Sequence, residues 1–148
     1  MDELIDSLWL SSVTEISDAS IGQLKKFDHV VGVCHESRDR DFDCTYDYYN
    51  MSDGAHDPFG DASQETFNDA VNSVVDALTQ NESVLVHCQA GQSRSVAVAA
   101  AALARYNDHH DVQHALEAIR DVRDTVMVER ALLKKAEKHI EIVSRHEH

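Results

Sequence analysis

His87-Cys88-Gln89-Ala90-Gly91-Gln92-Ser93-Arg94-Ser95 stands between the apolar run Ser83-Val84-Leu85-Val86 and an alanine-rich run from Val96 to Ala104. The order predicts a strand, a tight loop and a helix. A cysteine at the mouth of such a loop lies where backbone N–H groups converge and a helix N-terminus points. Both features stabilise negative charge, so the loop suits a thiolate and an oxyanion together. Arg94 adds a planar, two-pronged cation matched to phosphate oxygens. The chemistry these residue types support is attack of sulfur on phosphorus. The bland alternative is a buried cysteine beside a turn glycine, since free cysteine usually acts as a small hydrophobe. His before Cys, Gly at the third position after it, and Arg then Ser at the sixth and seventh coincide by chance about once in 10⁵ cysteines.

At these residues the chain resembles the cysteine-dependent protein phosphatases, whose signature is His-Cys, five residues, Arg, then Ser or Thr. It is most similar to the small dual-specificity branch, in which the loop lies in the second half of a short domain; here it begins at residue 88 of 148. The resemblance covers nearly the whole chain. It implies an α/β fold with a short mixed sheet flanked by helices in a single domain. It also implies hydrolysis of phosphate monoesters, on phosphotyrosine and also on phosphoserine or phosphothreonine, through a phosphocysteine. No cofactor or metal is implied. The other readings are a phosphate-binding module without turnover and a phosphatase for a phosphoinositide or an RNA 5′ end. Relatives acting on phosphoinositides carry basic residues inside the loop. Gln89 and Gln92 stand there in this chain.

Cys88 is the candidate nucleophile. A free thiol has a pKa of about 8.5, and loop amides with a helix N-terminus can lower such a value. Arg94 should grip two non-bridging oxygens, and the amides of Gln89, Ala90, Gly91, Gln92, Ser93 and Arg94 should complete the cradle. Ser95 resembles the family hydroxyl that helps sulfur leave; its alternative is local capping of the helix start. His87 either orients the loop from behind and helps the thiolate, as the resemblance implies, or is a core histidine bonded to backbone.

The leaving oxygen needs a proton, and an aspartic acid on another loop is the natural donor. Asp53 is the candidate, 88 − 53 = 35 residues before the cysteine and beside Gly54. Asp57, in His56-Asp57-Pro58, is the competitor, and either could be an ordinary turn aspartate.

The composition bounds the rest. With 43% hydrophobic residues the chain has enough for one core. There is no run of eighteen apolar residues, so no membrane span is expected. An acidic start, Met1-Asp2-Glu3-Leu4, without a secretion signal points to the cytoplasm. Cys34, Cys44 and Cys88 form an odd set without metal-ligand spacing, which suits a reducing setting. Cys34 is read as a buried inert thiol; in some relatives such a residue pairs with the nucleophile. A net charge of −14 disfavours nucleic acid as a partner. Acidity spread along the chain suits a salt-rich cytoplasm, where a Debye length of about 3 Å at 1 M screens self-repulsion. The expected partners are thus a phosphorylated protein or peptide, with phosphate or other oxyanions in the loop.

Periodicity supplies the frame. Strands are predicted at 8–10, 29–34, 46–51 and 84–86. Helices are predicted from Ser17 or Ser20 to Phe27, along Phe67, Ala70, Val71, Val74, Val75 and Leu78, along 96–103, after an Asp111 cap, and along Leu132, Leu133, Ala136, Ile140 and Val143. The 96–103 helix is apolar nearly all round and should be central. His109, His110 and His114 read as a solvated helix start rather than a metal site, and His146-Glu147-His148 as a frayed tail. Relatives often carry Arg-Pro before the last helix; Arg123-Asp124-Thr125-Val126-Met127 has no proline.

Overall fold

The computed structural model of the chain describes residues 1–5, 7–54, 57–106 and 111–146. His56, His109 and His110 of the sequence reading, and Glu147 and His148 of the tail, lie outside the described residues.

The sheet has five strands in the order β1-β2-β5-β3-β4: β1 (Asp2–Ile5), β2 (Leu8–Ser12), β3 (His29–Gly32), β4 (Thr45–Tyr48) and β5 (Val84–Cys88). β1 runs antiparallel to β2 and the other pairs are parallel, so the sheet is mixed, as expected. β5 is central, and alternation along it sets which way each side chain points. Val84, Val86 and Cys88 face the main core, whereas Leu85 faces the smaller cluster with Ile16, Phe27, Val30 and Phe42. Neighbours in a strand point to opposite faces. His87 and Cys88 therefore project from opposite sides of the sheet.

The main core lies under α3 (Gln64–Thr79), α4 (Arg94–Tyr106), α5 (Val112–Val122) and α6 (Arg130–His146). α4 is the hub and packs against α3, α5, α6 and the sheet. Every residue from Arg94 to Ala104 on it is buried. Its alanines allow this, because short side chains let several neighbours approach at once without loss of rotamer entropy. As expected, Asp111 caps α5, its carboxylate accepting from the Gln113 amide at 2.9 Å.

Several boundaries differ from the sequence reading. The strand at residues 8–12 is the second in the chain. β1 precedes it as an acidic edge strand with an irregularity between Glu3 and Ile5, too short and polar to show as an alternating run. The helix expected from Ser17 or Ser20 to Phe27 is the short α2 (Ile21–Leu24), with Ser20 as its cap, and α1 (Val13–Asp18) lies before it. Ser12 with Glu15, and Ser20 with Gln23, form two capping boxes, and the second restarts the helix. The strand expected over 46–51 pairs only over β4. Beyond it Met51 forms an isolated bridge with Asp61, reinforced by Ser52 N–H to Asp61 O at 2.9 Å and Asp61 N–H to Asn50 O at 2.7 Å. The loop 52–60 is thereby closed at its base.

Candidate active site

Cys88 ends β5 and is 2% exposed, with the N-terminus of α4 opening six residues later at Arg94. Its Sγ accepts from the Gly91 amide at 3.2 Å and lies 3.1 Å from Ser95 Oγ. One backbone N–H, one hydroxyl and a helix N-terminus thus converge on the sulfur. Gly91 has φ +68°, and a side chain there would meet the Arg123 guanidinium and the Ser11 carbonyl. Both the backbone twist and the close approach require glycine.

A cavity of about 160 Å³ opens over the sulfur, lined by Asp53, Cys88, Ala90, Gln92, Ser93, Arg94, Met127 and Glu129. Ala90, Gln92, Ser93 and Arg94 of the expected cradle therefore face it. Gln89 and Gly91 form its back: the Gln89 carbonyl accepts from the Val13 amide of α1 at 3.1 Å, and the Gly91 carbonyl from Arg123 Nε at 2.9 Å. Arg94 is buried and donates from Nη1 to the Met51 carbonyl at 3.3 Å, which ties it to the base of the 52–60 loop. A larger cavity, about 370 Å³, lies among Met1, Trp9, Glu15, Asp18, Ala19, Gln23 and Lys26. It contains no nucleophile, and the chemistry, not the size, singles out the smaller one.

The two candidate acids differ sharply. Asp53 lines the cavity, and its buried Oδ1 has no hydrogen-bond partner among the described residues. Asp57 is fully engaged. It accepts from the Asp53 amide at 2.9 Å, the Phe59 amide at 2.9 Å and His35 Nε2 at 2.8 Å. The Asp53 and Phe59 amides, followed by His35, hold its carboxyl down at about 2.

His87 lies behind the loop. Its Nε2 is 2.6 Å from the Tyr46 hydroxyl, and its Nδ1 4.0 Å from Cys34 Sγ. The Tyr46 oxygen also accepts from the Arg38 amide at 2.9 Å. Burial, aided by the nearby Arg38 charge, pushes His87 down to about 4. The ring is neutral and points away from the sulfur. Cys34 donates to the Glu36 carbonyl at 3.0 Å, and burial pushes its thiol up. All three cysteines are free.

Arg123 is a site-building residue that the sequence reading noted only for lacking a following proline. Besides Gly91 it pairs with Asp2 at 2.7 Å and with Glu15. Two hydrogen bonds fix the chain before α6: Met127 N–H to Gln92 O at 3.0 Å and Glu129 N–H to Ser93 Oγ at 3.0 Å. They make residues 127–129 a wall of the cavity. The signal available in sequence was a buried-position arginine before α6, which is not distinctive on its own.

Comparison with known proteins agrees with this geometry. The family described as dual specificity phosphatase, catalytic domain matches residues 8–139. The chain belongs to that family. It is similar to the zebrafish dual specificity protein phosphatase 22-A, with 27% identity over 126 residues; the match covers 85% of this chain and 58% of that protein. The chain thus spans little more than half of the curated relative it matches. Among solved structures it is similar to human DUSP28, with a TM-score of 0.82, 18% identity and 99% of each chain covered. DUSP15 gives a TM-score of 0.80 at 20% identity, covering 97% of this chain and 89% of the other. These structures share the fold.

Proposed function

We propose that the protein is a cysteine-dependent phosphatase that hydrolyses phosphate monoesters on proteins, phosphotyrosine foremost and phosphoserine or phosphothreonine as well, through a phosphocysteine. The observation that carries the reading is one cavity lined by Cys88, the buried Arg94 and Asp53, whose buried Oδ1 has no hydrogen-bond partner among the described residues. Cys88 Sγ attacks phosphorus in line while the bond to the leaving oxygen breaks. Arg94 and the amides of the loop hold the equatorial oxygens. Asp53 gives its proton to the leaving oxygen. As a carboxylate it then takes a proton from the water that displaces sulfur. Ser95, 3.1 Å from Sγ, donates to the departing thiolate. His87, being neutral, orients the strand end rather than moving a proton.

The charge of the cavity supports a small substrate charge. Its lining carries one cation, Arg94, and two carboxylates, Asp53 and Glu129. A single monoester fits that balance, whereas a polyphosphorylated ring or a 5′-triphosphate would meet repulsion. Met127, 74% exposed at the rim, offers an apolar surface to an aryl ring. Among the described residues no helix is long and apolar enough to cross a membrane. The net charge of −14 further supports work in a salt-rich cytoplasm.

The test is turnover of a phosphotyrosyl peptide, a phosphoseryl peptide, a phosphoinositide and an RNA 5′-triphosphate, with acid-quench trapping of a phosphorus-labelled Cys88. Peptide turnover with label on sulfur supports the proposal. Binding without label would identify a phosphate-binding module instead, and preference for either polyanion would overturn the protein substrate.

A further inference from the structure

The 52–60 loop contains a small hydrogen-bonded assembly that the catalytic steps do not use. His35 leaves β3 just after Cys34 and reaches across to this loop. Its Nε2 faces Asp57 Oδ2 at 2.8 Å and its Nδ1 faces the Asn50 side chain at 2.7 Å. A carboxylate only accepts, so Nε2 carries the proton and donates. The same Asp57 Oδ2 accepts the Asp53 amide at 2.9 Å, and Oδ1 accepts the Phe59 amide at 2.9 Å. The Phe59 ring meets the imidazole edge-on at 6.2 Å between centroids. Gly60, at φ +83°, passes so close that a side chain there would strike His35 Cε1. Asn50, Asp57, Phe59 and Gly60 thus all converge on one imidazole.

A chain of contacts leads from that ring to the proton donor. His35 fixes Asp57, Asp57 fixes the Asp53 backbone, and Asp53 lines the same cavity as Cys88, its buried Oδ1 without a hydrogen-bond partner among the described residues. Hydrogen bonds to a charged carboxylate are the strong kind, and two of them reach the backbone of the loop. A donor carboxyl displaced by about 1 Å loses much of its advantage.

The geometry points to His35 as a positioning residue for general-acid catalysis: it anchors Asp57, which holds the Asp53 amide and so aims the Asp53 carboxyl at the leaving oxygen. The inference rests on the assignment of Asp53 as proton donor. His35 itself touches no reacting atom. Its loss should appear only where the leaving group needs a proton.

Steady-state kinetics on the full chain test this with two substrates. Phenyl phosphate has a poor leaving group and 4-nitrophenyl phosphate a good one. Asp53→Asn should lower kcat/KM, which reports only the steps up to departure of the leaving group, by about 10²-fold on phenyl phosphate and far less on 4-nitrophenyl phosphate. His35→Ala should lower kcat/KM on phenyl phosphate about tenfold while kcat/KM on 4-nitrophenyl phosphate stays within about twofold. His35→Gln, which keeps an N–H donor towards Asp57, should restore most of the loss. Adding His35→Ala to Asp53→Asn should cost nothing more on phenyl phosphate, since the two act in series. If His35→Ala unfolds the chain, Asp57→Ala supplies the same comparison and should give the same selective loss. Equal losses on both substrates, or none, with Asp53→Asn still selective, overturn the role of His35 and leave the donor assignment standing. An unselective Asp53→Asn overturns the donor assignment and this inference with it.

Discussion

Residues 88–94 and residues 52–60 meet over the same cavity but are held in different ways. The nucleophile loop is suspended between β5 and α4, and its back is fixed by main-chain carbonyls that take bonds from Val13 and Arg123. The acid loop leaves the sheet altogether and is held by side chains, chiefly Asp57 and His35. A loop held by its own backbone has a geometry tied to the fold. A loop held by side chains can change with a single substitution. The contrast predicts that damage to the first region is total or structural, whereas damage to the second is graded and depends on substrate.

The largest effect should follow Cys88→Ser. A serine hydroxyl stays protonated near neutral pH, so turnover of 4-nitrophenyl phosphate should fall by at least about 10³-fold. Tungstate or phosphate binding, followed by calorimetry, should persist. Activity within tenfold of wild type would rule out a covalent sulfur intermediate. Arg94→Lys comes next. A point ammonium lacks the planar fork, and kcat should drop by about 10²- to 10³-fold. A raised KM at unchanged kcat would instead mean that Arg94 contributes only uniform binding.

Asp53→Asn probes the acid loop through pH. The alkaline limb of the kcat profile, which reports loss of the donor's proton, should vanish while the acidic limb remains. Asp57, already ionised above about 2, should leave that limb in place when changed to Asn. If the two variants exchange these profiles, the donor is Asp57.

Arg123→Met strikes the support of the nucleophile loop. It removes the bond to Gly91, leaves Asp2 without its cation and leaves Glu15 with the amino terminus alone. The cluster is only partly buried, so the expected cost is about 2 kcal/mol in urea unfolding. Burial alone would raise the Glu15 carboxyl, but Arg123 and the amino terminus outweigh it and hold it at about 2. A depressed folded-state value stabilises the fold above the ordinary carboxyl value of 4.5 and loses that contribution as pH falls towards about 2. Wild-type stability should therefore decline through that window, and the decline should be shallower in Arg123→Met. Equal slopes would show that the cluster does not govern acid stability.

The smallest effect should come from Tyr46→Phe. It deletes the oxygen shared by His87 and the Arg38 amide, and should cost about 1 kcal/mol with kcat nearly unchanged. A loss of kcat comparable with that of Asp53→Asn would give His87 a larger part than orientation.

The same contrast explains what was legible in sequence. The nucleophile loop is contiguous, and chemistry forces each type in it: Cys88 for sulfur, Gly91 for a positive φ, Arg94 for the fork. α3 and α6 were readable because one-sided burial imposes a period, and β5 and α4 because burial on all sides makes them apolar nearly throughout. Asp53 was reachable only by its placement between a strand and a helix. The supports were not legible, because they join residues far apart: Arg123 to Gly91, Tyr46 to His87, His35 to Asp57. Short elements were misread where capping competed with periodicity. The helix capped by Ser20 ends at Leu24 rather than Phe27, α1 after Ser12 was too short to show a period, and β1 was too brief and acidic to stand out.

The Met51–Asp61 bridge turns the acid loop into a cassette. Its two ends are joined to each other, so the sheet does not register how many residues lie between them. Doubling the length of such a closed segment costs only about 0.6 kcal/mol in loop-closure entropy. Changes of length there leave the sheet and α3 undisturbed. The rim that a substrate protein meets can therefore be exchanged, in the laboratory or over evolutionary time, while the sulfur and the arginine stay where they are.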